Sequence, residues 1–120
     1  MDQEINVLGS KLEVCGCSPM TGFFRDGFCR TDFNDRGIHT VCCIVDAPFL
    51  KFSKEDGNDL LTPMPEFNFM GLKPGDHWCL CASRWLRAYQ AGHACKVILK
   101  ATHEETLAII PLDFLKEFEA

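Results

Sequence analysis

The stretch Ile38-His39-Thr40-Val41-Cys42-Cys43-Ile44-Val45, running straight into Asp46-Ala47-Pro48-Phe49, decides how this chain is read. Apart from His39, residues 38–45 are β-branched or apolar at both odd and even positions. A strand alternates its side chains between two faces, so such a run reads as a central strand covered on both sides. Asp46 then offers an N-cap carboxylate and Pro48 suits a first helical turn. Gly57 is a stop signal, so a helix is expected near residues 47–56, with Phe49, Leu50 and Phe52 on its buried side.

Working outward, residues 58–75 carry Pro63, Pro65 and Pro74 with apolar anchors Phe67, Phe69 and Leu72. A stretch this long without regular structure is unusual in a compact domain and often functional. Pro74-Gly75-Asp76 turns into a strand expected at 77–82, and Ser83 caps a helix at 84–91 ending at Gly92. A further strand is expected at 96–101, and a helical tail from Glu104, broken near Pro111. Upstream, 5–8 and 12–15 read as short strands around a Gly9-Ser10 turn, and 18–27 as loop. The expectation is a single α+β domain over residues 1–120: a two-layer, mostly antiparallel sheet backed by helices. Repeats and low-complexity tracts are absent from the sequence.

Composition bounds the partners. The 120 residues are 47% apolar and 24% charged, which excludes disordered and collagen-like classes. Such a chain removes about 65% of its unfolded surface from water, enough for one core. Lys plus Arg number 12 against 17 Asp plus Glu, for a net charge of −5. That balance argues against nucleic acid, which needs a basic face. Apolar runs fall far short of a membrane span, so no membrane association is expected. The start, Met1-Asp2-Gln3-Glu4, is acidic where a secretory signal would be basic, and the expected address is the cytoplasm. The eight cysteines are accordingly expected to be reduced thiols packed as small hydrophobes.

Several segments carry a family likeness. They are Asn6-Val7-Leu8-Gly9, Thr21-Gly22-Phe23-Phe24-Arg25-Asp26-Gly27, His39-Thr40-Val41-Cys42, Gly57-Asn58-Asp59-Leu60 with Thr62-Pro63, Gly71-Leu72-Lys73-Pro74-Gly75-Asp76, Trp78-Cys79-Leu80-Cys81-Ala82 with Arg84-Trp85, and Ala101-Thr102-His103-Glu104. On these the chain resembles DUF2237, a family of small, mostly bacterial proteins of unknown function. The resemblance implies a single-domain α+β two-layer fold and brings no activity, substrate or cofactor. It implies that Cys15, Cys29, Cys42, Cys79 and Cys81 fall on family cysteines, whereas Cys17, Cys43 and Cys95 do not. Phe28 stands where the family often has a second adjacent cysteine.

Three chemistries compete. Zinc needs sulfurs about 3.8 Å apart, usually from C-x₂₋₄-C knuckles. The chain has only Cys15-x-Cys17 and Cys79-x-Cys81, whose members lie about 6.5 Å apart along a strand. No cofactor or metal ligand set is assigned, and zinc stays an alternative only if ligands converge from separate segments. Thiol catalysis is the second: Cys81, just before a helix start and three residues from Arg84, is the best placed nucleophile, with His39 or His103 as base. Against it stands the reading of Cys81 as an inert core thiol. Whether the protein is an enzyme stays open; no Walker loop, G-x-G-x-x-G, G-x-S-x-G or H-E-x-x-H motif is present.

The leading expectation is a binding pocket for a small anionic molecule. Arg84 would clamp the anion beside Trp85, with unpaired N–H groups at the helix start adding to the attraction. His39 and His103 would supply titratable donors, and Cys42, Cys79 and Cys81 the floor. Arg25, Asp26, Asn58, Asp59 and Asp76 sit in loops that would complete the site, with Asp35 nearby. The competing structural reading has Arg25 and Arg84 pinning the long loop, Trp85 in the core and His103 capping the tail helix. A purely structural or partner-binding domain is the third alternative.

Overall fold

The computed structural model describes residues 4–120, so the first three residues of the acidic start, 1–3, lie outside the described residues. The expected central strand forms at Val41–Ile44, here β1, and sits in the middle of a three-stranded antiparallel sheet. His77–Leu80 (β2) flanks it on one side and Lys96–Val97 (β3) on the other. Cys42 faces Cys79 directly across the ladder, and Cys43 faces Trp78. The helices are α1, Ala47–Glu55; α2, Ala82–Gln90; and α3, Leu112–Glu117. The molecule is an α+β single domain, as expected. Among the described residues no helix is long and apolar enough to cross a membrane.

Strand alternation divides the interior in two. Val41, Cys43 and Val45, with Trp78, Leu80 and Val97, join Phe49 and Leu50 of α1, Trp85 and Ala88 of α2 and Leu115 of α3 in the main core. The other face puts Cys42 and Cys79 against Cys15, Cys29 and Ala101. Both faces are buried because the residues at odd and even positions are all apolar.

Local chemistry explains the helix ends. Asp46 accepts a hydrogen bond from the Phe49 N–H at 2.8 Å, the capping contact expected of it. Helix α2 begins earlier than expected: its N-cap is Cys81, not Ser83, and the amides of Arg84 and Trp85 donate to the Cys81 carbonyl. The Ala82 amide donates to the Ile38 carbonyl at 3.0 Å, which ties α2 to the loop before β1.

Three expected elements are shorter or missing. Residues 5–8 make only isolated bridges, Ile5 with Lys11 and Asn6 with His103, and 12–15 make none. The cause is Asn6, whose side-chain oxygen accepts from the amides of Leu8 and Ser10, giving the backbone a local alternative to a ladder. The 96–101 strand stops at Val97, and Leu99–Ala101 winds into a 3₁₀ turn. Of the 58–75 segment only Pro65–Phe67 is regular, a single 3₁₀ turn.

The expectation of reduced thiols is overturned. Cys15 is joined to Cys42 and Cys29 to Cys79, linking the irregular amino-terminal third to β1 and β2. Four thiols remain free: Cys17 exposed, Cys43 and Cys95 buried, Cys81 partly exposed. A hydrogen bond with Cys43, then burial, pushes the Cys95 thiol well above the ordinary range, as befits inert packing groups.

Candidate functional site

A cavity of about 640 Å³ runs along β2, one of the two outer strands of the sheet. Trp78, Cys79, Leu80 and Cys81 line it in succession. Three loops close over them, contributing Gly22, Phe23 and Arg25, then Gly37 and His39, then Asn58 and Leu60; Arg84 comes from the first turn of α2. Two arginines and a histidine therefore face a space whose lining includes no carboxylate, in a chain with a net charge of −5.

Each of these three side chains is held by something behind it. Arg84 Nη1 donates to the Asp56 carbonyl at 2.9 Å, fixing its stem against the end of α1 while the side chain stays 35% exposed. Most of the Asp56 carboxylate is taken by Arg87, whose Nε donates to it at 2.7 Å. That hydrogen bond, opposed by desolvation and aided by the nearby charges of Arg87 and Arg84, holds the Asp56 carboxyl below its usual value near 3.8. Arg25 Nη1 donates to the Gly22 carbonyl at 2.9 Å, and its guanidinium carbon lies 5.4 Å from the centre of the Trp78 ring. His39 Nδ1 is 2.6 Å from Asp35 Oδ1, and the Asp35 side chain is fully buried. An ionised carboxylate only accepts, so Nδ1 carries the proton donated to it and Nε2 is the lone-pair nitrogen in the neutral ring. The Asp35 carboxylate also accepts from the His39 amide at 2.9 Å.

The backbone here is shaped for the cavity at some cost. Arg25 has φ 54° and Ile38 φ 48°, two of the three non-glycine residues in the left-handed region among those described. For a β-branched residue such as Ile38 that conformation is a true outlier, costing about 1–3 kcal/mol. Gly22 has φ 99°, and a Cβ there would lie 2.3 Å from the Phe28 carbonyl oxygen. At Gly37 a Cβ would lie 2.5 Å from His39 Cε1, so this glycine is what lets the imidazole fold back onto Asp35.

Of the residues expected at a site, Arg25, His39, Asn58, Cys79, Cys81 and Arg84 converge on this cavity. The others do not. Trp85 is fully buried and its Nε1 donates to the Cys95 carbonyl, so it is a core residue; adjacent helix positions point about 100° apart, which sends Arg84 out and Trp85 in. Trp78 supplies the aromatic wall instead. Cys42 lies on the buried disulfide face and is no part of the floor, and Cys79 reaches the cavity as half of a bridge. Asp26 pairs with Arg30, Asp59 closes a turn through Leu61 and Thr62, and Asp76 accepts from the Lys73 amide, so all three are turn-stabilising groups. The Thr62 hydroxyl, foremost among its donors, holds the Asp59 carboxyl below its ordinary value.

His103 sits elsewhere. Its Nδ1 accepts from the Glu105 amide at the start of a 3₁₀ turn, and its Nε2 lies 2.6 Å from Glu4 Oε2. It is a cap, as the structural reading had it. The α2 amides expected to attract an anion are also largely committed, Ala82 to Ile38 and the next turn to Cys81. Sequence reasoning missed Trp78 and the Asp35–His39 pair; the i, i+4 spacing of those two, with Gly37 between, was the available signal. Sulfurs of Cys15, Cys29 and Cys79 do converge from separate segments, within 4.8 Å of one another. They are committed to S–S bonds, and a zinc site is made of thiolates.

The fold and this cavity together define a small α+β protein with an arginine-lined cleft beside an edge strand. The chain belongs to the DUF2237 family, described as uncharacterized protein conserved in bacteria, whose profile matches residues 5–119. No curated protein matches it.

Proposed function

We propose that the cavity beside β2 binds a small anionic molecule. The observation that carries this reading is the lining itself: Arg25, Arg84, His39 and Asn58 around one space without a facing carboxylate. Guanidinium groups take carboxylates and phosphates through paired N–H bonds, and an anchored guanidinium loses less freedom on doing so. The left-handed Arg25 and Ile38 add support, since backbone strain of this kind gathers at ligand sites. The test is titration with phosphate, sulfate, succinate and citrate, followed by amide chemical shifts. Saturable shifts confined to 22–25, 37–39, 58–60 and 78–84, lost in Arg84→Gln, are expected; shifts scattered over the surface, or none, overturn the reading.

A second reading rests on one further observation. Cys81 is the free thiol on this cavity, and His39, oriented by buried Asp35, lines the same space. That supports a cysteine-dependent enzyme with Cys81 as nucleophile and His39 as base; His103, committed to Glu4 and Glu105, is no longer a candidate for that role. Timed alkylation of the native protein tests it: labelling of Cys81 only after unfolding excludes the nucleophile.

A cytoplasmic address also belongs among the proposals. Both bridges would have to persist in a reducing compartment, and their burial supports that. Thiol trapping in fractionated cells tests it, with the bridged protein expected in the soluble cytoplasmic fraction.

A further inference from the structure

We infer that the molecule this cavity accepts is a carboxylate-bearing, low-molecular-weight disulfide, and that Cys81 exchanges with it to hold one half as a mixed disulfide. The inference rests on the anion-binding reading above and adds the ligand's reactive group and the sulfur it joins.

The argument begins with the sulfurs. Four of the eight are spent in two bridges, so this chain is closed by the same oxidation that makes disulfides of small thiols. A disulfide is the electrophile that a free thiol attacks, and exchange needs no other oxidant. Cys81 is the free thiol that lines the cavity, at the N-cap of α2 with the Ser83 hydroxyl 3.2 Å from its sulfur. Arg84 stands one helical turn along and Arg25 on the facing loop, which suits a partner carrying carboxylates away from its sulfur. A space of about 640 Å³ is of the size that encloses a small peptide-like molecule.

The step balances as an exchange. The Cys81 thiol gives up its proton, its sulfur attacks one sulfur of R–S–S–R, the old S–S bond breaks, and R–S⁻ leaves and takes up that proton. One S–S bond is lost and one is made, with no net oxidation. The product persists because the cavity holds no second free thiol to displace it. Cys79 is bonded to Cys29, Cys43 lies across the sheet in the main core with Cys95, and Cys17 is outside the cavity lining. Release therefore waits for an outside thiol.

The test uses the intact oxidised protein and three probe disulfides: glutathione disulfide (anionic), 2-hydroxyethyl disulfide (neutral) and cystamine (cationic). Intact mass and peptide mapping follow the adducts. A glutathionyl group on Cys81 is expected, whether or not exposed Cys17 also reacts, formed about tenfold faster than the cystamine adduct at Cys81, with the order flattened in Arg84→Gln and the Cys81 adduct absent in Cys81→Ser. Modification of Cys17 alone, or equal rates at Cys81 for the three probes, overturns the inference. A parallel titration with S-methylglutathione, which has the carboxylates but no exchangeable sulfur, separates the two claims. If it shifts the cavity amides while glutathione disulfide leaves Cys81 unmodified, anion binding stands and the exchange falls. If it shifts nothing and Cys81 reacts indiscriminately, both fall.

Discussion

On one face of β1, Val41, Cys43 and Val45 meet Phe49, Leu50, Trp85 and Leu115, all brought by helices and held chiefly by packing, with no covalent link. On the other, Cys42 and its neighbour Cys79 meet an amino-terminal third whose described residues form no named strand or helix, and the joint is covalent. The contrast teaches how a small domain allots its means of support. Amphipathic helices supply large side chains in a continuous cluster, and each adds a few kcal/mol of burial. Irregular chain cannot align such a face, so it gains stability by restricting the unfolded state through cross-links.

This contrast can be broken from either side. The largest effect is expected from the packed face: Trp85→Ala leaves a void in the main core and should cost about 3–5 kcal/mol, read by denaturant unfolding. Next comes the double variant Cys29→Ala/Cys79→Ala, opening a link that spans 50 residues. A loss of about 2–4 kcal/mol is expected. Hydrogen exchange sharpens the comparison: amides in 12–30 should lose more protection than those of α2. Uniform loss would mean that the two faces do not differ as described.

Where the two regions meet, at the cavity, the effects are smaller in stability and larger in binding. Arg84→Gln removes a charge-assisted hydrogen bond, and anion affinity should fall on the order of tenfold with little change in far-UV dichroism. Gly37→Ala should push the His39 ring off Asp35 and reorient it without touching the core, seen as displaced His39 ring resonances and a lost Asp35 contact by NMR. The smallest effect lies on the helix side. The Asp56 carboxyl is held low, chiefly by its hydrogen bond from Arg87, so the stability it adds is present above the ordinary carboxylate value. It is lost as pH falls through the lower folded-state value. Wild type should therefore melt slightly above Asp56→Asn near about pH 6, and the two curves should converge toward about pH 2.

The sequence was legible where one residue's chemistry acts locally. Val41–Ile44 announced itself by apolar residues at every position, and α1 by Asp46 and Pro48. Cys81, Arg84, His39 and Arg25 stood out because charged or reactive groups cluster near a strand end and in loops. What failed was reasoning by adjacency. Arg84 and Trp85 are neighbours in sequence and opposites in space. Cys15-x-Cys17 and Cys79-x-Cys81 were weighed as pairs, whereas the bonds join Cys15 to Cys42 and Cys29 to Cys79, 27 and 50 residues apart. Such distances are set by the sheet register, which local patterning does not specify. Even so, the family likeness had separated five cysteines from three. Four of those five are bridged, and the fifth faces the cavity.

The doublet Cys42-Cys43 bears on how the chain matures. The strand's pleat sends these two sulfurs to opposite sides, so only Cys42 can reach Cys15 once β1 has paired with β2. A slip by a single position would present Cys43 in its place and turn every packed side chain outward, an arrangement the core rejects. In the paired sheet one member of the doublet is joined to the amino-terminal segment, and its twin lies sealed in the main core.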